Sequence, residues 1–299
     1  MEVYLTGATG YIGGAIAEAL QKAGHKVTGL ARTPEKAKLL EARGIRAVQG
    51  DLLRPESVAA PARAADGVIH TANTNDANAA QADAAAVRAM LKNLEGSGKP
   101  FVYTSGVWVL GSTGDTPATE ETPVNPPALV SLRPAIEQEV LSAKDRGVRS
   151  VVIRPALVYG RGGSIPAMLG KSARETGAAR YVGDGKNRWP FVDVVDLAQL
   201  YVLALEKALA GALYNAANGP SYRVAEVAQA ASLGAGTQGK TQSWPLEEAR
   251  KTLHAFADAL VLDQQINSDK AKRELGWSPR AASVLEDLKA GSYARAAKA

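Results

Sequence analysis

The chain has 299 residues, 46% apolar and 22% charged, which excludes a largely disordered polypeptide. It has no cysteine, so disulfides and thiolate chemistry are excluded, and a chain of this length buries roughly 75% of its unfolded surface without staples. Against 30 Asp and Glu stand 35 Lys and Arg, a net charge of +5, but the two signs interleave even where Lys270, Lys272 and Arg273 meet Asp269 and Glu274; nucleic-acid footprints cluster, so no nucleic-acid partner is expected.

Met1 runs directly into the strand-like Glu2-Val3-Tyr4-Leu5, without a basic-then-apolar leader, and no segment approaches the ~20 apolar residues of a membrane helix. A soluble cytoplasmic protein with no membrane partner is the expectation. Short apolar runs at 3–6, 26–31, 45–49, 67–71, 101–105 and 148–154 predict β-strands. Helix-period stretches beginning near Tyr11, Pro34, Pro55, Ala77 and Ala128 separate them. This alternation predicts an α/β fold with a Rossmann-type doubly wound parallel sheet; a closed barrel would need eight such units.

From about Arg161 the rhythm breaks into glycine-rich loops, short extended pieces at 180–182 and 213–215, and a helix over 194–209. We therefore expect a dinucleotide-binding domain over 1–160. A smaller, mainly substrate-binding C-terminal lobe would cover 161–299, with some segments returning to the first domain. The Thr- and Pro-rich stretch 112–127 predicts a loop after the fifth strand, at the sheet edge where open α/β folds bind ligands.

Directly after the first strand come Thr6-Gly7-Ala8-Thr9-Gly10-Tyr11-Ile12-Gly13. A tight strand-to-helix turn tolerates positive φ only at glycine, and close approach of backbone to a diphosphate excludes a Cβ. The N–H groups opening the helix then face the phosphates. About 20 residues beyond such a loop, an acidic residue would bind the 2′-hydroxyl of NAD. Here the second strand ends in Ala31-Arg32-Thr33-Pro34, which puts a guanidinium in that place, with Lys36 one turn further on. Arg32 can pair bidentately with a 2′-phosphate, so NADP is expected over NAD; the alternative is a solvated surface charge.

The glycine loop, Gly50-Asp51-Leu52, His70-Thr71-Ala72, Tyr103-Thr104-Ser105, the run from Arg154-Pro155 to Gly160, and Phe191-Val192-Asp193-Val194-Val195-Asp196 occur in this order along the chain. Together they resemble the extended short-chain dehydrogenase/reductases, the NAD-dependent epimerase/dehydratase family, as does the segment from Asp269 to Trp277. The resemblance implies a Rossmann domain with a substrate lobe. It also implies Asp51 and Leu52 near the adenine, and Thr71, Ala72 and Pro155 along the ribose and nicotinamide end. Pairing into a homodimer through a helix bundle that here includes 128–143 is a further implication.

The resemblance also implies a Tyr-x-x-x-Lys pair, and the chain departs from it: none of the nine tyrosines has lysine four residues later. The corresponding helix sets Leu129 in the tyrosine place and Arg133 in the lysine place. Arg133 keeps the positive charge but does not shuttle protons, which leaves it to hold the cofactor ribose or steady a developing oxyanion. The hydroxyl usual after the fifth strand falls at Ser105 or, in the ungapped match, at Gly106. Proton delivery is then left to water, to Ser105 within a relay, or to a tyrosine from elsewhere, with Tyr103 and Tyr159 near strand ends. In the loop 183–190, Arg188 is a candidate for an anionic substrate group and Trp189 for a pocket wall, beside the plain reading of both as loop structure. His25, His70 and His254 lack neighbours at metal-ligand spacing, so no metal site is expected. Asp193 and Asp196 read as helix caps.

Three functions fit these residues: an atypical NADP-dependent oxidoreductase acting on a carbonyl, imine or activated double bond of a small-molecule substrate; a non-catalytic NADP-binding sensor; and a sugar-nucleotide epimerase or dehydratase. The last is weakened by Leu129. In the first, Ser105 and Arg133 are the candidate catalytic residues. Gly7, Thr9, Gly10, Tyr11, Ile12, Gly13, Arg32, Lys36, Asp51, Leu52, Thr71, Ala72, Arg133 and Pro155 are the candidate cofactor contacts.

Overall fold

A computed structural model describes residues 1–296 except Asn75 and Ala77. Strand β1 (Glu2–Thr6) leads into helix α1 (Tyr11–Lys22), followed by β2 (Lys26–Ala31), α2 (Pro34–Glu41), β3 (Arg46–Gln49), α3 (Glu56–Ala64), β4 (Gly67–His70) and α4 (Ala79–Leu94). Ala77, where sequence places the start of the fourth helix, lies outside the described residues. Then come β5 (Pro100–Thr104), α5 (Arg133–Ser142), β6 (Arg149–Pro155) and β7 (Leu157–Tyr159). The rest of the chain supplies α6 (Ser164–Thr176), β8 (Ala179–Val182), β9 (Arg188–Trp189), β10 (Phe191–Asp193), α7 (Val194–Lys207) and β11 (Ala212–Ala216). Last come β12 (Tyr222–Arg223), α8 (Val224–Gly234), β13 (Thr241–Trp244), α9 (Leu246–Leu253), α10 (Ala255–Leu260), α11 (Asp269–Leu275), α12 (Val284–Ala290) and α13 (Ser292–Ala296).

Seven parallel strands form the main sheet in the order β11-β6-β5-β4-β1-β2-β3. The β-branched and aromatic residues of β4 and β5, among them Val68, Ile69, Phe101 and Val102, are fully buried because helices cover both faces. On one face α1 packs beside α7, with Ile16, Leu20, Leu197 and Leu200 in the core; on the other, Val58, Val87, Met90 and Val140 bring in α3, α4 and α5. A third apolar cluster gathers Tyr159, Trp189, Phe191, Val227 and Leu288 between α6, α8 and α12.

The strand order reverses between β1 and β4, where Thr6 pairs in register with His70. That reversal opens a crevice at the carboxyl ends of the strands, the place where open α/β sheets take ligands. One element sits elsewhere than its local sequence suggested. Residues 213–215, read as an extended piece of the smaller lobe, belong to β11, the edge strand of the main sheet beside β6. The surrounding glycine-rich loops mask a seventh strand whose pairing is set by a segment about 60 residues earlier.

Candidate active site

The glycine loop is shaped by contacts that admit no side chain. Gly7 has φ +79°, and a Cβ there would fall 2.5 Å from Thr71 Oγ1; a Cβ on Gly13 would fall 2.1 Å from the Gly7 carbonyl oxygen. Gly10 donates to the Gly7 carbonyl at 2.8 Å and caps α1 without a side chain, so the first turn of the helix opens into the crevice. A cleft of about 480 Å³ gathers there. Gly7, Thr9, Gly10, Tyr11, Ile12, Gly13, Arg32, Lys36, Asp51, Leu52, Thr71 and Ala72 all line it, together with Leu30, Gly50, Asn73 and Thr74. Arg32 and Lys36 are exposed on this wall, and neither forms an ion pair among the described residues. An uncapped helix N-terminus with two unpaired cations in one cleft is a donor set suited to a phosphorylated dinucleotide.

Beyond Ile12 and Asn73, which border both spaces, the cleft continues into a chamber of about 740 Å³ at the ends of β5 and β6. Ser105, Arg133 and Pro155 line this second space, as do Leu129 and Gly106. Pro155, assigned to the cofactor from the resemblance, therefore stands in the chamber rather than in the glycine-loop cleft. Ser105 donates its backbone N–H to Ile153 at 2.8 Å, while its buried hydroxyl has no hydrogen-bond partner among the described residues. Arg133 opens α5 and donates from Nη1 to the Thr104 carbonyl at 3.1 Å. The position of α5 is in turn fixed to β6 by a buried fork, Arg154 Nε and Nη2 donating to Glu137 at 2.9 and 2.5 Å.

A buried polar chain links the cleft to the chamber. Thr71 and Ala72 donate their N–H groups to Thr6 Oγ1 at 3.2 and 3.3 Å, and Thr6 Oγ1 lies 2.7 Å from His70 Nδ1. His70 Nε2 lies 2.9 Å from Asp83 Oδ1, and Tyr103 donates its hydroxyl to Asp83 Oδ2 at 2.6 Å. Burial alone would raise the Asp83 pKa, but the hydrogen bond and charge of His70, the hydrogen bond from Tyr103 and the charge of Arg133 outweigh it and hold the carboxyl below its ordinary value. An ionised Asp83 only accepts, so His70 carries its proton on Nε2. Thr6 Oγ1, which accepts from the two N–H groups, faces the other ring nitrogen, Nδ1.

A family model for the NAD dependent epimerase/dehydratase family matches residues 3–217. The chain belongs to that family. It is 32% identical to the uncharacterized protein YLL056C of Saccharomyces cerevisiae, covering 97% of this chain and 98% of that one. It is 28% identical to a 2-alkyl-3-oxoalkanoate reductase of Stenotrophomonas maltophilia, covering 98% and 100%. Among solved structures, dTDP-glucose 4,6-dehydratase of Bacillus anthracis in complex with NAD superposes with a TM-score of 0.82 at 19% identity, over 99% of this chain and 96% of that one.

Among the described residues no tyrosine lines this chamber. Leu129 occupies the wall where the resemblance implies tyrosine and is 43% exposed. Tyr103 is buried and committed to Asp83; burial first, then the Asp83 charge, pushes its phenol well above the ordinary range. Tyr159 donates to the Ala282 carbonyl at 2.5 Å and Tyr11 to the Gly160 carbonyl at 2.7 Å. Neither Tyr103 nor Tyr159 lines the chamber. Of these three residues only Ser105 lines it, and its hydroxyl oxygen is itself buried.

Two loop residues take the plain structural role. Arg188 donates from Nε and Nη2 to Asp263 at 2.9 and 2.6 Å and pairs with Asp115 at 3.0 Å, while the Trp189 indole N–H donates to the Leu260 carbonyl at 3.0 Å. Neither lines the chamber. The loop 112–127 is likewise tied down by backbone bonds, Thr113 to Asp263 and Ala118 to Gln265, and leaves the chamber wall to the segments on either side of it. Asp193 caps α7, accepting from Val195 and Asp196 at 2.7 and 3.2 Å. Asp196 instead accepts from the backbone of Arg280 and Ala281.

Asp83 escaped the sequence reading because it sits in an alanine-rich run. The signal was present: with Ala86, Val87 and Met90 it falls on the stripe at i, i+3, i+4 and i+7 that α4 buries. An acid on a buried stripe demands a partner.

Proposed function

We propose that this protein is an NADP-dependent oxidoreductase that reduces a carbonyl, imine or activated double bond of a small organic molecule without a tyrosine acid. The observation that carries the reading is the continuity of the two spaces. A cleft with an open helix N-terminus, Arg32 and Lys36 runs into a chamber holding Ser105 and Arg133.

The first turn of α1 would hold the pyrophosphate, and Arg32 with Lys36 the 2′-phosphate; Asp51 and Leu52 would flank the adenine, and Thr71, Ala72 and Pro155 the nicotinamide half. The reduced cofactor, when bound, supplies a hydride. The chain's own residues must then stabilise negative charge on the substrate heteroatom and bring it a proton. Arg133 offers a fixed positive charge at the chamber wall, the role of an oxyanion clamp. Ser105 offers a buried hydroxyl with no competing partner, which passes a proton in from water. The likeness to a reductase along its full length supports the same direction of chemistry.

Incubation with NADPH and a panel of carbonyls and imines, followed by the loss of reduced-nicotinamide absorbance, tests the proposal. Turnover on at least one compound, lowered about 100-fold in Arg133→Met, is the expected result. Tight NADPH binding without turnover on any compound would favour the sensor reading instead.

A further inference from the structure

The chamber wall is mostly apolar, and two aromatic rings from distant segments meet on it. Trp108, just beyond β5, and Phe256 in α10 pack edge to face, with centroids 5.9 Å apart and planes at 66°. The backbone holds Phe256 there. His254, which joins α9 to α10, has φ +50°, a conformation that residues with side chains rarely adopt, and Arg250 of α9 clamps Asp258 of α10 through Nε and Nη2 at 2.9 and 2.6 Å.

The charges of the chamber are equally selective. Among the described residues Arg133 is the only cation on its wall, and Asp76 and Asp83 share that wall. Arg188, which does not line the chamber, is paired with Asp115 and Asp263. A nucleotide diphosphate entering here would bring two or more negative charges to two carboxylates and one guanidinium, and desolvating unpaired charge is costly.

We propose that the chamber takes an uncharged carbonyl compound bearing an apolar chain or ring, seated against Trp108 and Phe256, and rejects nucleotide-linked sugars. The inference rests on the reading of the chamber as the site of carbonyl reduction. Its test separates the two. Calorimetric titration of the protein, with and without oxidised NADP, by a series of methyl ketones from 2-butanone to 2-decanone, and by UDP-glucose, measures binding independently of turnover; NADPH oxidation by the same ketones is followed in parallel.

Affinity is expected to tighten about threefold to fourfold per added methylene until the wall is covered, with no binding of UDP-glucose at millimolar concentration. Trp108→Ala and Phe256→Ala should each weaken the longest ketone about tenfold or more while NADP affinity, the check on folding, stays unchanged. A flat dependence on chain length, or UDP-glucose binding tighter than the ketones, overturns the inference. Ketones that bind with the expected slope but leave NADPH unoxidised support the apolar site and overturn the reduction reading.

Discussion

His70 Nε2 lies 2.9 Å from Asp83 Oδ1, both groups buried, at the point where the strand order reverses. Through Thr6 the same imidazole holds the backbone of Thr71 and Ala72, so the wall of the glycine-loop cleft and the acid of the chamber share one hydrogen-bonded chain. The Asp83 pKa is depressed in the folded protein, so its contribution to stability is present above the ordinary aspartate value of about 3.9 and is lost as the pH falls through the depressed one. Asp83→Asn should cost about 1–3 kcal/mol in urea unfolding at neutral pH. The gap between wild type and variant should narrow below about pH 4. A gap constant with pH would refute the assignment.

Ser105 separates structural from functional roles cleanly. Its buried hydroxyl has no partner among the described residues, so Ser105→Ala removes an unsatisfied group and should leave the melting temperature unchanged or slightly raised. Turnover, by contrast, should fall by about 10-fold or more. A drop in stability with unchanged turnover would assign the hydroxyl to the fold.

Arg133 is expected to act through its charge. Arg133→Met should lower kcat by about 100-fold, and Arg133→Lys, which keeps the cation without the planar fork, by less. Loss of the bond to the Thr104 carbonyl should cost about 1 kcal/mol in thermal unfolding of the Met variant. Equal kcat in both variants would remove the charge from the mechanism.

Arg32 should decide between the two pyridine cofactors. Arg32→Ala is expected to weaken NADPH by about 10-fold to 100-fold, the worth of a charge-assisted bond to phosphate, and to leave NADH unchanged, as read by calorimetry. The NADPH loss should shrink at high salt because Arg32 is exposed. An equal loss for both cofactors would leave the guanidinium without a role in selection.

Much of this molecule follows from short-range rules. The parallel sheet is legible because strands covered on both faces read as continuous apolar runs, as at Val68-Ile69 and Phe101-Val102, and the glycine loop because only glycine fits the +79° φ at position 7. Arg32 and Lys36 were placed by counting along one strand and one helical turn, and both line the cleft. Such features are set within a few residues, where backbone sterics and side-chain period act.

Partnerships across the chain were not legible, because a polar side chain does not carry the name of its partner. Arg188 looked as suited to a substrate anion as to Asp263, 75 residues away, and only packing brought that carboxylate to it. Tyr103 and Ser105 stand two residues apart, yet the phenol is bonded to Asp83 while Ser105 lines the chamber. Local chemistry wrote the glycine loop; long-range folding chose which buried groups would satisfy one another and which would be left lining the chamber, since that choice depends on distances that exist only once the layers have closed.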